Sequence, residues 1–205
     1  MPSLVPSDTC QYYDLDFDDL DLPAGAYVYD QWIEYGVRLA AEKLETTTGG
    51  FMPNGSPRLF DTSMATNSSG YGTQGLSGNY GNVLIVQQTE DTSQWKANGE
   101  GGVLVFDFAV AVDEVVEIGL LNVVSEIRVE VLAEDGSSTT TTVPPEGEGS
   151  YKELQIGSSQ TMQIKVGFTG PSAVTHVKLC TKSTSSASPT AGGSAPPSSL
   201  SLIHI

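Results

Sequence analysis

The sequence predicts an all-β fold, a two-sheet antiparallel sandwich of jelly-roll type, on three observations. Short runs rich in β-branched and aromatic residues recur between clusters of Gly, Asn, Asp and Pro. In the clearest runs apolar and polar residues alternate, so each strand has one apolar face. No apolar stripe with a helical period is long enough to be structural. One-sided strands must cover each other's apolar faces, and two facing sheets do so.

In chain order the runs are Tyr12–Phe17, Gly36–Ala41, Arg58–Phe60, Val83–Gln87, Val103–Phe108, Val115–Val123, Ile127–Leu132, Thr139–Val143, Glu153–Ile156, Met162–Phe168 and Ala173–Leu179, about eleven strands. Alternation places Leu104, Phe106 and Phe108 on one face, Ile127, Val129 and Val131 on another, and Met162, Ile164, Val166 and Phe168 on a third. A turn or two of helix is expected around Tyr29–Tyr35 with Asp30 as its cap, and Trp32 is expected in the core. The glycines concentrate between residues 49 and 102, which reads as long decorated loops.

The 205 residues suit one domain with tails. Residues 1–9 read as a linker remnant, 10–181 as the sandwich and 182–199, dominated by Ser, Thr, Pro, Ala and Gly, as a second linker. The final Leu200-Ser-Leu-Ile-His-Ile205 matches a translation of the transposase mosaic-end sequence CTG TCT CTT ATA CAC ATC, and is expected to be an adapter-derived artefact on a fragment of a longer protein. No signal peptide precedes the first strand, and no apolar run reaches the length of a membrane span.

A net charge of −16 argues against nucleic acid or an anionic membrane as partner, because phosphates would be repelled. His176 and His204 are the only histidines, which leaves little for a His-based triad or a multi-histidine metal site. His176 is expected on the exposed face of the last strand. Gly70-Tyr-Gly-Thr-Gln-Gly75 fits a dinucleotide fingerprint in letters, but no strand-to-helix junction surrounds it. Paired carboxylates for glycoside hydrolysis can be drawn from the 25 acids, yet no spacing picks out a pair.

The acidic first strand is the most distinctive local feature. Asp14, Asp16 and Asp18 alternate with Leu15 and Phe17, Asp19 follows, and no basic residue precedes Arg38. Such a run is either a solvated edge that discourages strand addition or a Ca²⁺ site made of Asp14, Asp16, Asp18 and Asp19. It is not an EF-hand, since the required loop glycine and the final bidentate glutamate are missing. Cys10 and Cys180 bracket the sandwich, and terminal strands lying side by side let them pair. The alternative is two buried thiols. The sequons at Asn54 and Asn67, the linker-like flanks and the scarcity of lysine favour a disulfide and an extracytoplasmic setting.

The order of these signals resembles the extracellular β-sandwich module of PEP-CTERM and choice-of-anchor type surface proteins. The matching stretches are Asp16-Phe-Asp-Asp-Leu20, Pro23-Ala-Gly-Ala-Tyr27, Asp30-Gln-Trp32, Tyr35-Gly-Val37, Leu59-Phe-Asp-Thr62, Gly81-Asn-Val-Leu-Ile85, Gly101-Gly-Val-Leu-Val-Phe-Asp-Phe108, Glu117-Ile-Gly-Leu-Leu121 and Gly170-Pro-Ser-Ala-Val-Thr175. The resemblance implies a non-catalytic, secreted or surface-displayed module, similar in architecture to carbohydrate-binding jelly rolls. Two departures stand out. No anchor tail is present, and Lys96-Ala-Asn-Gly-Glu100 replaces the usual aspartates of that loop.

The expected function is therefore adhesion, display or carbohydrate binding by a monomeric module at the cell surface. Tyr71, Tyr80 and Trp95 are the candidate rings for stacking on sugars, and calcium is the one cofactor considered. A secreted polysaccharide hydrolase and a ligand-free structural spacer are the competing readings.

Overall fold

The structure is a computed structural model that describes residues 10–45, 50–53, 57–64, 75–88 and 96–182. Among them are ten strands in the order β1 (Cys10–Asp16), β2 (Val37–Glu45), β3 (Gly50–Pro53), β4 (Arg58–Asp61), β5 (Asn82–Ile85), β6 (Gly102–Leu121), β7 (Ile127–Ala133), β8 (Ser138–Val143), β9 (Tyr151–Phe168) and β10 (Ala173–Lys182). Every ladder is antiparallel. Two 3-10 turns, Ile33–Tyr35 and Thr62–Met64, are the helical elements described. None of the described helices is long and apolar enough to cross a membrane.

The long pair β6 and β9 organises the rest. It runs from Gly102 opposite Phe168 to Leu121 opposite Tyr151, with register shifts between Asp107 and Val112 and between Val115 and Glu117. On its other side β6 pairs first with β2, then with β10. The hydrogen-bonded sheet thus has two wings. The first is β8-β7-β9-β6-β2-β3; in the second, β9-β6-β10, strands β1 and β5 lie end to end along β10, and β4 flanks β5.

The inner faces of the wings share one core. Leu104, Phe106, Val129, Val131, Ile164 and Val166 from the first wing cluster with Leu15, Val115, Ile118, Val177 and Leu179 from the second. This is the predicted sandwich. Trp32 lies in that core with its ring edge-on to Phe17, centroids 5.7 Å apart. A smaller cluster of Phe60, Leu76, Val83, Ile85, Ala97, Leu121 and Ala173 alternates with core residues on the same strands, and so lies on the opposite, outer side of the second wing.

Four local expectations need correction. Val103–Phe108 and Val115–Val123 belong to one strand, as do Glu153–Ile156 and Met162–Phe168. The ladder continues through bulges, which re-aim side chains without ending the pairing, so a change of buried face in the sequence looks like a break. The opposite omission is β3, which pairs with Glu42–Glu45 inside a segment read as loop. Met162 is only half-buried because a register shift between Leu132 and Ala133 brings Thr161 into the buried position. Asp30 does not cap the turn; Gln31 Oε1 accepts the Tyr29 and Asp30 amides instead, and Trp32 is the N-cap residue.

Candidate functional site

The outer face of the second wing collects the polar chemistry. Directly paired residues of an antiparallel ladder carry their side chains on the same face. His176 on β10 lies opposite Asp16 on β1 and Gly119 on β6, and Lys178 lies opposite Asp14 and Glu117. On β9, Gln155, Glu153 and Tyr151 lie opposite Glu117, Gly119 and Leu121. Four strands distant in sequence therefore build one surface.

Its centre is a linked network. Gln155 Nε2 donates to Glu117 Oε2 at 2.7 Å, while Lys178 Nζ and His176 Nε2 approach Glu117 Oε1 at 3.6 and 3.7 Å. The Gln155 hydrogen bond, aided by the charges of Lys178 and His176, holds the Glu117 carboxyl below its ordinary range against a partial burial that opposes it. Glu117 is thus an ionised acceptor at neutral pH. A bulge between Val174 and His176 places Thr175 Oγ1 3.0 Å from His176 Nδ1. Beside them Gly119 has no room for a side chain: a Cβ there would stand 2.0 Å from Thr175 Oγ1 and 2.5 Å from His176 Nδ1.

Aromatic rings flank this network at two ends. Tyr151 donates to Glu153 Oε1 at 3.1 Å and stacks on Tyr80, centroids 5.3 Å apart at an interplanar angle of 21°. Burial, then the bond to Glu153, pushes the Tyr151 phenol above its ordinary value, so it remains a protonated donor. At the far end Tyr12 is 60% exposed, with Lys178 Nζ 5.9 Å from its ring centre.

The rings are held by buried polar anchors. Asn122, fully buried and at φ 60°, donates to Pro171 O at 2.5 Å, accepts from Gly149 N at 3.0 Å and accepts Ser172 Oγ on its carbonyl, so it ties down the segment leading into Tyr151. Asparagine tolerates this left-handed backbone better than most residues. The Tyr80 amide donates to Thr62 Oγ1 at 3.1 Å. Next to it Gly81 is at φ +63°, and a Cβ there would fall 1.8 Å from Asp18 Oδ2. Asp18 in turn accepts from Asn82 N at 2.6 Å, which gives that aspartate a structural task.

The residues singled out in the sequence separate into three groups. Tyr80 and His176 belong to the face, His176 with a side chain 21% exposed inside the Glu117 network. Cys10 and Cys180 form a disulfide between β1 and β10, with Cα atoms 5.6 Å apart across a separation of 170 residues. Tyr71, Trp95, Asn54 and Asn67 lie outside the described residues. Of the acids, Asp14 and Asp16 stand on the outer face of β1; Asp16 accepts the Asp18 amide at 2.9 Å, and Asp18 and Asp19 lie beyond the strand end. Among the described residues the one cluster of three ligand atoms within 4.8 Å is Cys10, Glu114 and Cys180, whose sulfurs are already bonded to each other. Missed from the sequence were Glu117, Gln155, Lys178, Tyr12 and Tyr151, which only the ladder register brings together.

A cleft of about 550 Å³ opens beside β1, lined by Tyr13, Leu15, Trp32 and Tyr35 together with Asp14, Asp16 and Asp19 of the predicted calcium set. It holds none of the Glu117 network.

No family model matches the chain, and no curated protein matches it. Among solved structures, the lectin domain of lectinolysin complexed with Lewis B antigen is 14% identical, with a TM-score of 0.32 over 58% of this chain and 89% of that one. A variant of a family 29 carbohydrate-binding module is 11% identical, TM-score 0.35, over 71% and 92%. TmCBM61 in complex with β-1,4-galactotriose is 13% identical, TM-score 0.30, over 76% and 94%. At these scores the likeness is loose.

Proposed function

We propose that this chain is a non-catalytic carbohydrate-binding module of a longer, extracytoplasmic protein, and that it binds through the outer face of β1, β10, β6 and β9. The observation that carries the reading is the pairing of exposed tyrosines with a prearranged hydrogen-bonding network: the stacked Tyr80 and Tyr151 beside Glu117, Gln155, His176 and Lys178. Sugars present apolar ring faces and radiating hydroxyls. Aromatic rings satisfy the first, and charged or amide groups with spare hydrogen-bonding capacity satisfy the second.

Gly119 lets the Thr175 and His176 side chains pack down against β6 between the two ends of the face. The Cys10–Cys180 bond supports an oxidising compartment. The run of motifs from Asp16 to Thr175 supports display on a bacterial surface, as in choice-of-anchor proteins.

The test is a glycan-array screen of the purified chain, followed by titration calorimetry on the best ligand. Binding that weakens at least tenfold in Tyr151→Ala, with the fold intact by circular dichroism, is the expected result. A ligand that binds Tyr151→Ala and the parent chain equally overturns the assignment of the face.

A further inference from the structure

The placement of the rings on this face specifies the length and charge of its ligand. Tyr12 pairs with Cys180 on β10, while Tyr151 pairs with Leu121, which pairs with Ala173 at the other end of β10. The two anchors are thus separated by seven residue steps along β10 and three strand spacings across the wing. At roughly 3.3 Å per residue and 4.8 Å per strand, they lie about 27 Å apart on the diagonal, a distance that a chain of about five pyranose units covers.

The diagonal is furnished along its course. From Tyr151 it passes Glu153, crosses Thr175 and His176 where they pack down over Gly119, meets Glu117 and Lys178, and ends on Tyr12 under the Lys178 ammonium. A monosaccharide resting on Tyr80 and Tyr151 would leave this whole course and the far ring unused. The charge along it is lopsided: Asp14, Asp16, Glu114, Glu117 and Glu153 share the face with Lys178, Lys182 and His176 as its basic groups, on a chain of net charge −16. Carboxylated or sulfated sugars are therefore repelled.

We infer that the ligand is an uncharged oligosaccharide stretch of about five residues, bound along its length between Tyr151 and Tyr12 rather than gripped at a single sugar. This rests on the carbohydrate-binding reading above. Titration calorimetry of the full chain with neutral gluco-, manno-, xylo- and galacto-oligosaccharides of one to six residues tests it, with oligogalacturonates of the same lengths as charged probes. For a neutral series, affinity is expected to rise at least tenfold from the disaccharide to the pentasaccharide and then level off. Tyr12→Ala, an exposed substitution, is expected to weaken the hexasaccharide several-fold and leave the disaccharide unchanged.

Full affinity already at the disaccharide, or a hexasaccharide indifferent to Tyr12→Ala, overturns the length assignment and leaves the carbohydrate-binding reading standing. Oligogalacturonates binding as tightly as the neutral series overturn the charge assignment alone. Binding of none of these sugars, together with a blank glycan array, overturns both.

Discussion

The two outer faces of the sandwich are made by the same two strands, yet they differ in kind. On the first wing, β6 and β9 contribute Val103, Val105, Asp107, Gln163, Lys165 and Gly167, opposite Arg38 on β2 and Arg128 and Glu130 on β7. Charges there alternate in sign across neighbouring strands, with Arg38 opposite Asp107 and Glu130 opposite Lys165, and none of these positions is aromatic. On the second wing the same strands present Glu117, Gly119, Glu153 and Gln155 between three tyrosines, with several acids gathered around Lys178 and His176. A face whose charges cancel locally is content in water. A face with rings exposed and charge left in excess is the one on which the proposed binding rests.

The contrast can be broken or sharpened experimentally, starting from the largest expected effect. Replacing Cys10 and Cys180 together by serine removes a cross-link spanning 170 residues and is expected to cost about 5 kcal/mol on the chain-entropy account, read as the shift in the urea midpoint. Hydrogen exchange should then show β1 opening before the first wing; simultaneous loss of both wings would contradict the view that β1 depends on the clip. Phe106→Ala on the first wing and Ile118→Ala on the second are each expected to cost about 3 to 4 kcal/mol, since both side chains are fully buried in the shared core. A large inequality would mean that the wings do not share one interior.

Asn122→Ala strands the Gly149 amide and the Pro171 carbonyl, so a loss of about 2 kcal/mol is expected in thermal unfolding, along with weakened glycan binding through the freed Tyr151. Unchanged stability would show that water replaces the side chain there. Lys165→Ala on the first wing should leave glycan affinity within about twofold, against the tenfold loss expected for Tyr151→Ala; equal effects would erase the distinction between the faces.

The smallest effect is that of pH. Glu117 has a lower pKa folded than unfolded, so its contribution to stability is complete above the ordinary glutamate range and fades as pH falls through its depressed folded value. With solvent screening it amounts to no more than about 1 kcal/mol. Acid unfolding of Glu117→Gln should accordingly be shallower than that of the parent chain across that range, and superimposable curves would show the network to be energetically silent.

Much of the fold was legible in the sequence because alternation is a local signal: Leu104, Phe106 and Phe108, or Ile127, Val129 and Val131, declare their buried face within a few residues. Bulges defeat that signal. The buried set of β6 moves from Phe108 and Val112 to Val115 and then Ile118, and the shifts that cause this depend on pairing partners far along the chain. For the same reason the site was mostly hidden. Glu117, Gln155 and Lys178 each look like an ordinary exposed strand residue, and only the registers of β6, β9 and β10 bring them within hydrogen-bonding or ion-pairing reach. Tyr80 was recognisable as a ring in a glycine-rich loop, whereas its partner Tyr151 follows a glycine-bearing turn that gives no hint of a shared surface. The acidic strand attracted notice through its spacing, but Asp18 had a task that spacing alone does not reveal, fastening a loop more than sixty residues away.

The registers also fix how the module would behave under tension. Cys10 sits opposite Lys182, so the polypeptide enters and leaves the sandwich at one corner, and the bond to Cys180 closes that corner covalently. A pull transmitted through those two points travels across a sulfur bridge and a few residues of backbone, leaving the remaining strands slack. Tension applied there would therefore bypass the outer face that carries the Glu117 network.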